Sequence, residues 1–320
     1  MQRNAPSAAL QTNVRLYAAL RSAPSIPSWS TPLGFPLLAI SALMGSLVSL
    51  SLGTSFAKSL FPMVGAAGTT TFRLVFATAI LMLLWRPWRR SWQRSDWPAL
   101  AAYGVTLGTM NLLFYNAIKT IPFGLAIAIE FSGPLAVAIW NSRRWLDGLW
   151  VLLAISGLAL LLPLPGLDSS ALDLVGVGFA LAAGGCWALY IVFGQRVSKR
   201  FGAMATPMGM LFASLAVLPF GVAQAGSALL DTSLLAAGLA VAILSSAIPY
   251  SLEMYALRHL PKQTFSILLS LEPATGAVAG WLVLGEQLSA LQLLAMALVM
   301  VASMGSAWSN ARGPVATDAP

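Results

Sequence analysis

The 320-residue chain is 58% hydrophobic and only 9% charged, with a mean hydropathy of +0.79, which excludes an ordinary water-soluble globular fold. Its formal net charge of +8 has no polar domain to concentrate it on one face, so a nucleic-acid partner is excluded as well. One cysteine, Cys186, and one histidine, His259, leave no disulfide framework and no multi-histidine metal site, and no cofactor is expected.

In chain order, residues 1–33 carry Arg3, Arg15 and Arg21 around an apolar run no longer than Leu16 to Leu20. That run is too short for a cleaved secretory signal, and a cytoplasmic tail is expected. Apolar runs of about 20 residues, the length that crosses a bilayer, follow at 34–57, 66–86, 97–118, 123–141 and 147–164, then at 172–195, 205–225, 233–257, 263–284 and 288–308. The fold expected is an all-α integral membrane protein of ten transmembrane helices. It divides into a five-helix repeat over 34–164, a second over 172–308, and a C-terminal tail over 309–320.

Orientation follows from Lys and Arg, which are retained in cytoplasmic loops. With the N-terminus inside, fifteen of the 18 basic residues fall on the cytoplasmic side, among them Arg86, Arg89, Arg90, Arg94, Arg143, Arg144, Arg196, Lys199, Arg200, Arg258, Lys262 and Arg312. Lys58 and Lys119 fall outside and Arg73 within a span, while the connections near Asp168, Asp231 and Glu286 hold no basic residue. Both termini are thus expected in the cytoplasm. Five spans per half start the second half on the opposite side from the first. Pro122 and Pro134 match Pro261 and Pro273 at one offset, as do Lys119 and Arg258. Oppositely inserted repeats are the pattern of alternating-access transporters, with the site between repeats near the midplane.

Charged groups at membrane depth are costly and therefore candidates for function. Glu130 lies eight residues into the fourth span and Glu272 about ten into the ninth, too deep for a short side chain to reach an interface. Pro134 and Pro273 remove the hydrogen bonds to the carbonyls of Glu130 and Leu269, a break tolerable only where it is buried or lines water. The same acids could instead pair with Arg73 for packing alone. Arg73 itself could neutralise a glutamate or a substrate carboxylate. Glu253, near the expected cytoplasmic end of the eighth span, could reach the interface or bond to Arg258. Asn111 and Tyr115 share a helix face at i, i+4, Trp187 and Tyr190 share one at i, i+3, and Tyr250 lies in the middle third of its span. These supply the neutral donors and walls that a small zwitterion needs, although aromatic packing explains them as readily. Lys58 and Lys119 are accounted for by snorkelling, Gly276 and Gly280 by close helix packing, Cys186 by its small apolar bulk, and His259 by solvent.

The stretches AKSLFPMVGA from Ala57, IEFSGPLAVA from Ile129, CWALYI from Cys186, GLAVAILSSAIPYSLEM from Gly238, SLEP from Ser270 and ASMGS from Ala302 resemble the EamA-type branch of the drug/metabolite transporter superfamily. Within it they are most similar to the threonine/homoserine exporters of bacterial inner membranes. The resemblance covers residues 34–308. It implies ten helices in two inverted repeats, cytoplasmic termini, and export of small amino acids from the cell.

Proton antiport is the expected coupling: a carboxyl group at depth carries a proton inward when the amino acid leaves and releases it when the next ammonium binds, Glu130 first and Glu272 second. Two rival readings are carriage of another metabolite or an amphipathic cation, and an intramembrane enzyme. The latter lacks a membrane-facing histidine beside a serine and a metal cluster at helical spacing. A channel would need rings of repeated polar residues, which are absent.

Overall fold

The computed structural model describes residues 34–140, 145–160, 173–260 and 262–311. The expectations for the tails at 1–33 and beyond 311, for the Asp168 connection, for Arg143 and Arg144, and for Pro261 lie outside them. Of the unit Met1–Leu38, the described part is the first turn of a helix; the contacts below are within the unit Ala39–Pro320.

Among the described residues every regular element is helical. They are α1 Gly34–Ser59, α2 Phe61–Trp85, α3 Trp97–Thr120, α4 Phe123–Glu130, α5 Ser132–Trp140, α6 Trp145–Leu160, α7 Leu174–Phe201, α8 Ala205–Ala225, α9 Thr232–Ala242, α10 Ile248–His259, α11 Lys262–Leu269, α12 Glu272–Leu284 and α13 Ala290–Ala311. Seven stretches are long and apolar enough to cross a membrane: Leu37–Ser59, Phe61–Trp85, Leu174–Phe201, Ala205–Leu230, Thr232–Glu253, Thr264–Leu284 and Ala290–Trp308. Phe123–Val137 and Gly148–Leu160 are apolar but shorter. The apolar run of α3 is diluted by Tyr103, Thr106, Asn111, Tyr115 and Asn116. Large side chains such as Leu83, Leu84, Leu152 and Trp281 are more than half exposed, as expected where lipid is the outer solvent.

Helix starts follow local chemistry. Proline occupies the first turn of α2, α3, α10 and α12, where its missing N–H costs nothing. Asp173 caps α7 by accepting from the N–H groups of Val175 and Gly176, and Asp231 caps α9 through Ser233. The Thr120 hydroxyl and these N–H groups hold the Asp173 carboxyl below its ordinary pKa. Its capping contribution is therefore present at neutral pH and is lost as pH falls through that lowered value.

Two rods are broken near their middles. Between α4 and α5 the helix is interrupted at Phe131, and between α11 and α12 at Ser270 and Leu271. A third departure is the π-helical turn Ile243–Ala247 that joins α9 to α10. All eight residues of α4 are buried, as an all-round apolar helix requires; α4 packs against α7 and α12, α2 against α8, α3 against α7 and α8, and α6 against α13. The carbonyl of Glu130, released by Pro134, abuts α7: a Cβ on Gly184 would come within 2.7 Å of it, and a Cβ on Gly133 would overlap the Gly184 carbonyl. On this site the carbonyl is taken up by helix packing and does not stand open to solvent. We expect Gly133→Ala to lower thermal stability in detergent by about 1–3 kcal/mol. Gly178→Ala on α7, where a Cβ meets nothing within 4 Å, is expected to cost nothing and to raise stability by up to about 1 kcal/mol through helix propensity.

Candidate functional site

A cavity of about 240 Å³ lies where the broken rods meet, lined by residues of α1, α2, α3, α4, α7, α10, α11 and α12. Eight of the nine residues singled out from the sequence line it: Arg73, Asn111, Glu130, Trp187, Tyr190, Tyr250, Glu253 and Glu272. The ninth, Tyr115, is fully buried and stands behind the lining, against Arg73 and Phe114.

Arg73 is 7% exposed. Its Nη1 donates to the Tyr115 hydroxyl at 3.3 Å, Nη2 to the Ser245 carbonyl at 3.1 Å, and Nε to the Ser246 hydroxyl at 3.3 Å. The guanidinium also lies 5.6 Å from the Tyr115 ring centroid, within cation–π range. The π turn makes this possible by presenting the Ser245 carbonyl away from the helix ladder, while Gly53 of α1 admits the same turn closely, a Cβ there meeting the Ser245 nitrogen at 2.7 Å. Among the described residues Arg73 forms no ion pair, so packing of the acids against it does not account for their burial.

Glu130 is the last residue of α4 and Glu272 the first of α12, so each carboxyl group projects from a helix interruption into the cavity. Glu253 accepts from the Ser46 hydroxyl of α1 at 3.1 Å and lines the cavity; the bond to Arg258 expected as an alternative lies outside the described side chains. Ser46 also donates to the Pro249 carbonyl at 3.1 Å. Asn111 donates through one Nδ2 hydrogen to the Leu107 carbonyl at 2.9 Å, which leaves the second Nδ2 hydrogen as a donor and Oδ1 as an acceptor for the cavity. Tyr190 receives a hydrogen bond from Tyr103 at 3.1 Å and stacks on it with ring centroids 5.0 Å apart. Trp187 stands edge-on to Phe131 at 5.0 Å, beside the α4–α5 break.

Lys58 corrects the snorkelling expectation. Its Nζ lies 2.6 Å from Glu286 Oε1, with both side chains largely buried, and Glu286 Oε2 accepts the Phe123 N–H at 2.8 Å. One carboxylate thus ties the ends of α1 and α4 to the connection between α12 and α13, next to the Phe123 ring that lines the cavity. Gly276 meets the expectation of close packing: a Cβ there would overlap Ile127 of α4. His259 is exposed, as expected, but sits at the end of α10 with its Nδ1 2.8 Å from the Tyr255 carbonyl.

The EamA-like transporter family matches residues 174–308. The threonine/homoserine exporter RhtA of Salmonella typhimurium strain SL1344 is 49% identical over 283 residues, 88% of this chain and 95% of that protein. RhtA of Escherichia coli K12 is 51% identical over 269 residues, 84% of this chain and 91% of the relative. The chain belongs to the EamA-like transporter family. A more distant relative, the uncharacterized transporter YwfM of Bacillus subtilis, is 28% identical over 72% of the chain and 80% of its own length. A crystal structure at 17% identity covers 87% of this chain and 99% of its own with a TM-score of 0.51, a likeness of fold alone. As an EamA-like transporter with seven apolar crossing stretches, the protein is a multi-pass membrane protein.

Sequence reasoning did not single out Ser46, Ser51, Thr54, Ser245 or Ser246. The available signal was the recurrence of small hydroxyl residues along α1 and the Ser-Ser pair just ahead of Pro249, within otherwise apolar runs.

Proposed function

We propose that this EamA-like transporter exports threonine, homoserine and amino acids of similar size by proton antiport, with the cavity between its halves alternately open to either side. The observation that carries the reading is the cavity itself: three carboxyl groups, Glu130, Glu253 and Glu272, and one guanidinium, Arg73, line a space of about 240 Å³. Unbalanced negative charge in a desolvated space attracts a cation, either a proton or an ammonium. Arg73 and the Asn111 amide face the same space and suit a carboxylate. Pockets for drug-sized ligands run to roughly 300–1,000 Å³, so the size favours a small zwitterion over an amphipathic cation despite the aromatic walls. The cargo of the RhtA relatives agrees with this chemistry.

The reading includes ten crossing helices in two inverted repeats, 34–164 and 172–308, in a bacterial inner membrane with both termini cytoplasmic. Numbered by crossing, the second packs on the seventh, the fourth on the ninth and the fifth on the tenth, as a pseudo-two-fold axis between inverted repeats demands. The third on the sixth has its counterpart in the first on the eighth, joined by the Ser46 and Ser49 bonds to Pro249 and Leu244. The family match over 174–308 falls on the second repeat.

The deciding experiment is uptake of labelled threonine and homoserine into inside-out vesicles with an acid interior imposed and then collapsed. Saturable uptake that disappears with the gradient is expected; folded protein without uptake of either would overturn the cargo.

Within this cycle the Lys58–Glu286–Phe123 clasp holds the external end shut. In a Cys186→Ser background, Glu286→Ala is expected to raise labelling of Thr54→Cys by an external, membrane-impermeant maleimide about tenfold, a shift of about 1.4 kcal/mol between the two states. An unchanged rate would remove the clasp from the gate.

A further inference from the structure

α5 and α7 touch backbone to backbone at Gly133 and Gly184 and part beyond them, because nothing lies within 4 Å of a Cβ on Gly185. The parting leaves a cleft of about 680 Å³ on the outer surface, distinct from the central cavity. Its wall is apolar, with Leu189 and Val192 from α7 and Ala136 from α5. At its far end stand Arg196 and Lys199, one turn apart on the same helix face, with Trp140 beside them, 89% exposed. The neighbouring Arg200 is ion-paired with Asp96. Arg196 and Lys199 make no hydrogen bond or ion pair among the described residues, so two exposed cations face the end of an apolar trough with no anion of the described residues to meet them.

The trough runs along a helix apolar and long enough to cross the bilayer, and its charged end coincides with that helix's last turns. An amphiphile with acyl chains and a negative head has the matching polarity at each level, and an indole at the boundary is an interfacial anchor. A second groove, between α1 and α12, offers a contrast. It is about 350 Å³, lined by Val48, Leu52, Val278 and Leu282 and by no charged side chain, so it can hold acyl chains without selecting a head group.

We infer that the α5–α7 cleft binds one anionic phospholipid, its chains along Leu189 and Val192 and its phosphate at Arg196 and Lys199. The inference needs only that α7 spans the membrane; it holds whatever the cargo.

The test is native mass spectrometry of the full chain in mild detergent, titrated with phosphatidylglycerol or with phosphatidylethanolamine of matched chains. Phosphatidylglycerol is expected to be retained at least tenfold more tightly. The double substitution Arg196→Gln with Lys199→Gln is expected to weaken it about thirty-fold, roughly five-fold for each basic residue, and to leave phosphatidylethanolamine unaffected. Leu189→Trp, which fills the trough but keeps both charges, is expected to weaken both lipids. Equal retention of the two lipids by the native chain would overturn the site. So would undiminished phosphatidylglycerol binding by both variants, displacement by millimolar inorganic phosphate, or a two-chain species that excludes the lipid.

Discussion

Replacing Glu130 and Glu272 together with glutamine is expected to reduce gradient-driven threonine uptake into inside-out vesicles at least a hundredfold, and Glu130→Gln alone at least tenfold. Glutamine keeps the size and most hydrogen-bonding capacity of each side chain, so helix packing at the two interruptions is preserved while the capacity to exchange a proton is removed. The charge balance of the cavity sets the size of the effect. Three carboxyl groups face one guanidinium, and Glu253 is already engaged by Ser46. Glu130 and Glu272 are the acids left for a proton in one half of the cycle and an ammonium in the other. Exchange of labelled for unlabelled threonine across vesicles with no gradient is expected to fall less than driven uptake, since exchange requires binding but no net proton movement. Full gradient dependence in the double variant would move the coupling to Glu253.

How far this site could be read beforehand depends on the kind of signal each residue leaves. A carboxylate or guanidinium inside an apolar run is conspicuous because burying it is expensive, and for that reason Arg73, Glu130, Glu253 and Glu272 stand out in the sequence, four residues that the fold gathers from four helices into one cavity. The prolines marked where the helices break, since a missing N–H is a local property of the chain. Destinations were not legible. The sequence leaves open whether the freed Glu130 carbonyl is buried or lines water; it lies against Gly184, because only the packing of α4 on α7 decides which backbone fills the gap. Ser245 and Ser246 leave only the faint signal of a Ser-Ser pair ahead of Pro249, since serine is ordinary in membrane helices and a π turn depends on partners far along the chain, here Arg73, 172 residues away. Lys58 misled for a similar reason. A lysine at a helix end reads as snorkelling, and its pairing with Glu286 spans 228 residues.

Arg73 carries the other large expected effect, and it separates recognition from scaffolding. Three of its five N–H donors are committed to Tyr115, Ser245 and Ser246, which fixes the plane of the guanidinium and leaves two donors for the cavity. If these meet the substrate carboxylate, Arg73→Met removes hydrogen bonds to a charged group, worth about 1.5–3 kcal/mol. The affinity for threonine in counterflow should then fall by about ten- to a hundredfold. Threoninol, which has the ammonium and side chain of threonine but no carboxylate, should be bound by the variant as weakly as by the native protein. The preference for threonine over threoninol should therefore vanish. Arg73→Lys keeps the positive charge but cannot hold the Ser245 carbonyl, the Tyr115 hydroxyl and a carboxylate in one plane, so it should restore part of the preference and little of the rate. Were threonine and threoninol to weaken by the same factor in Arg73→Met, the guanidinium would act by bracing the π turn against α2, and the carboxylate would have to be met by Asn111 and its neighbours on α3.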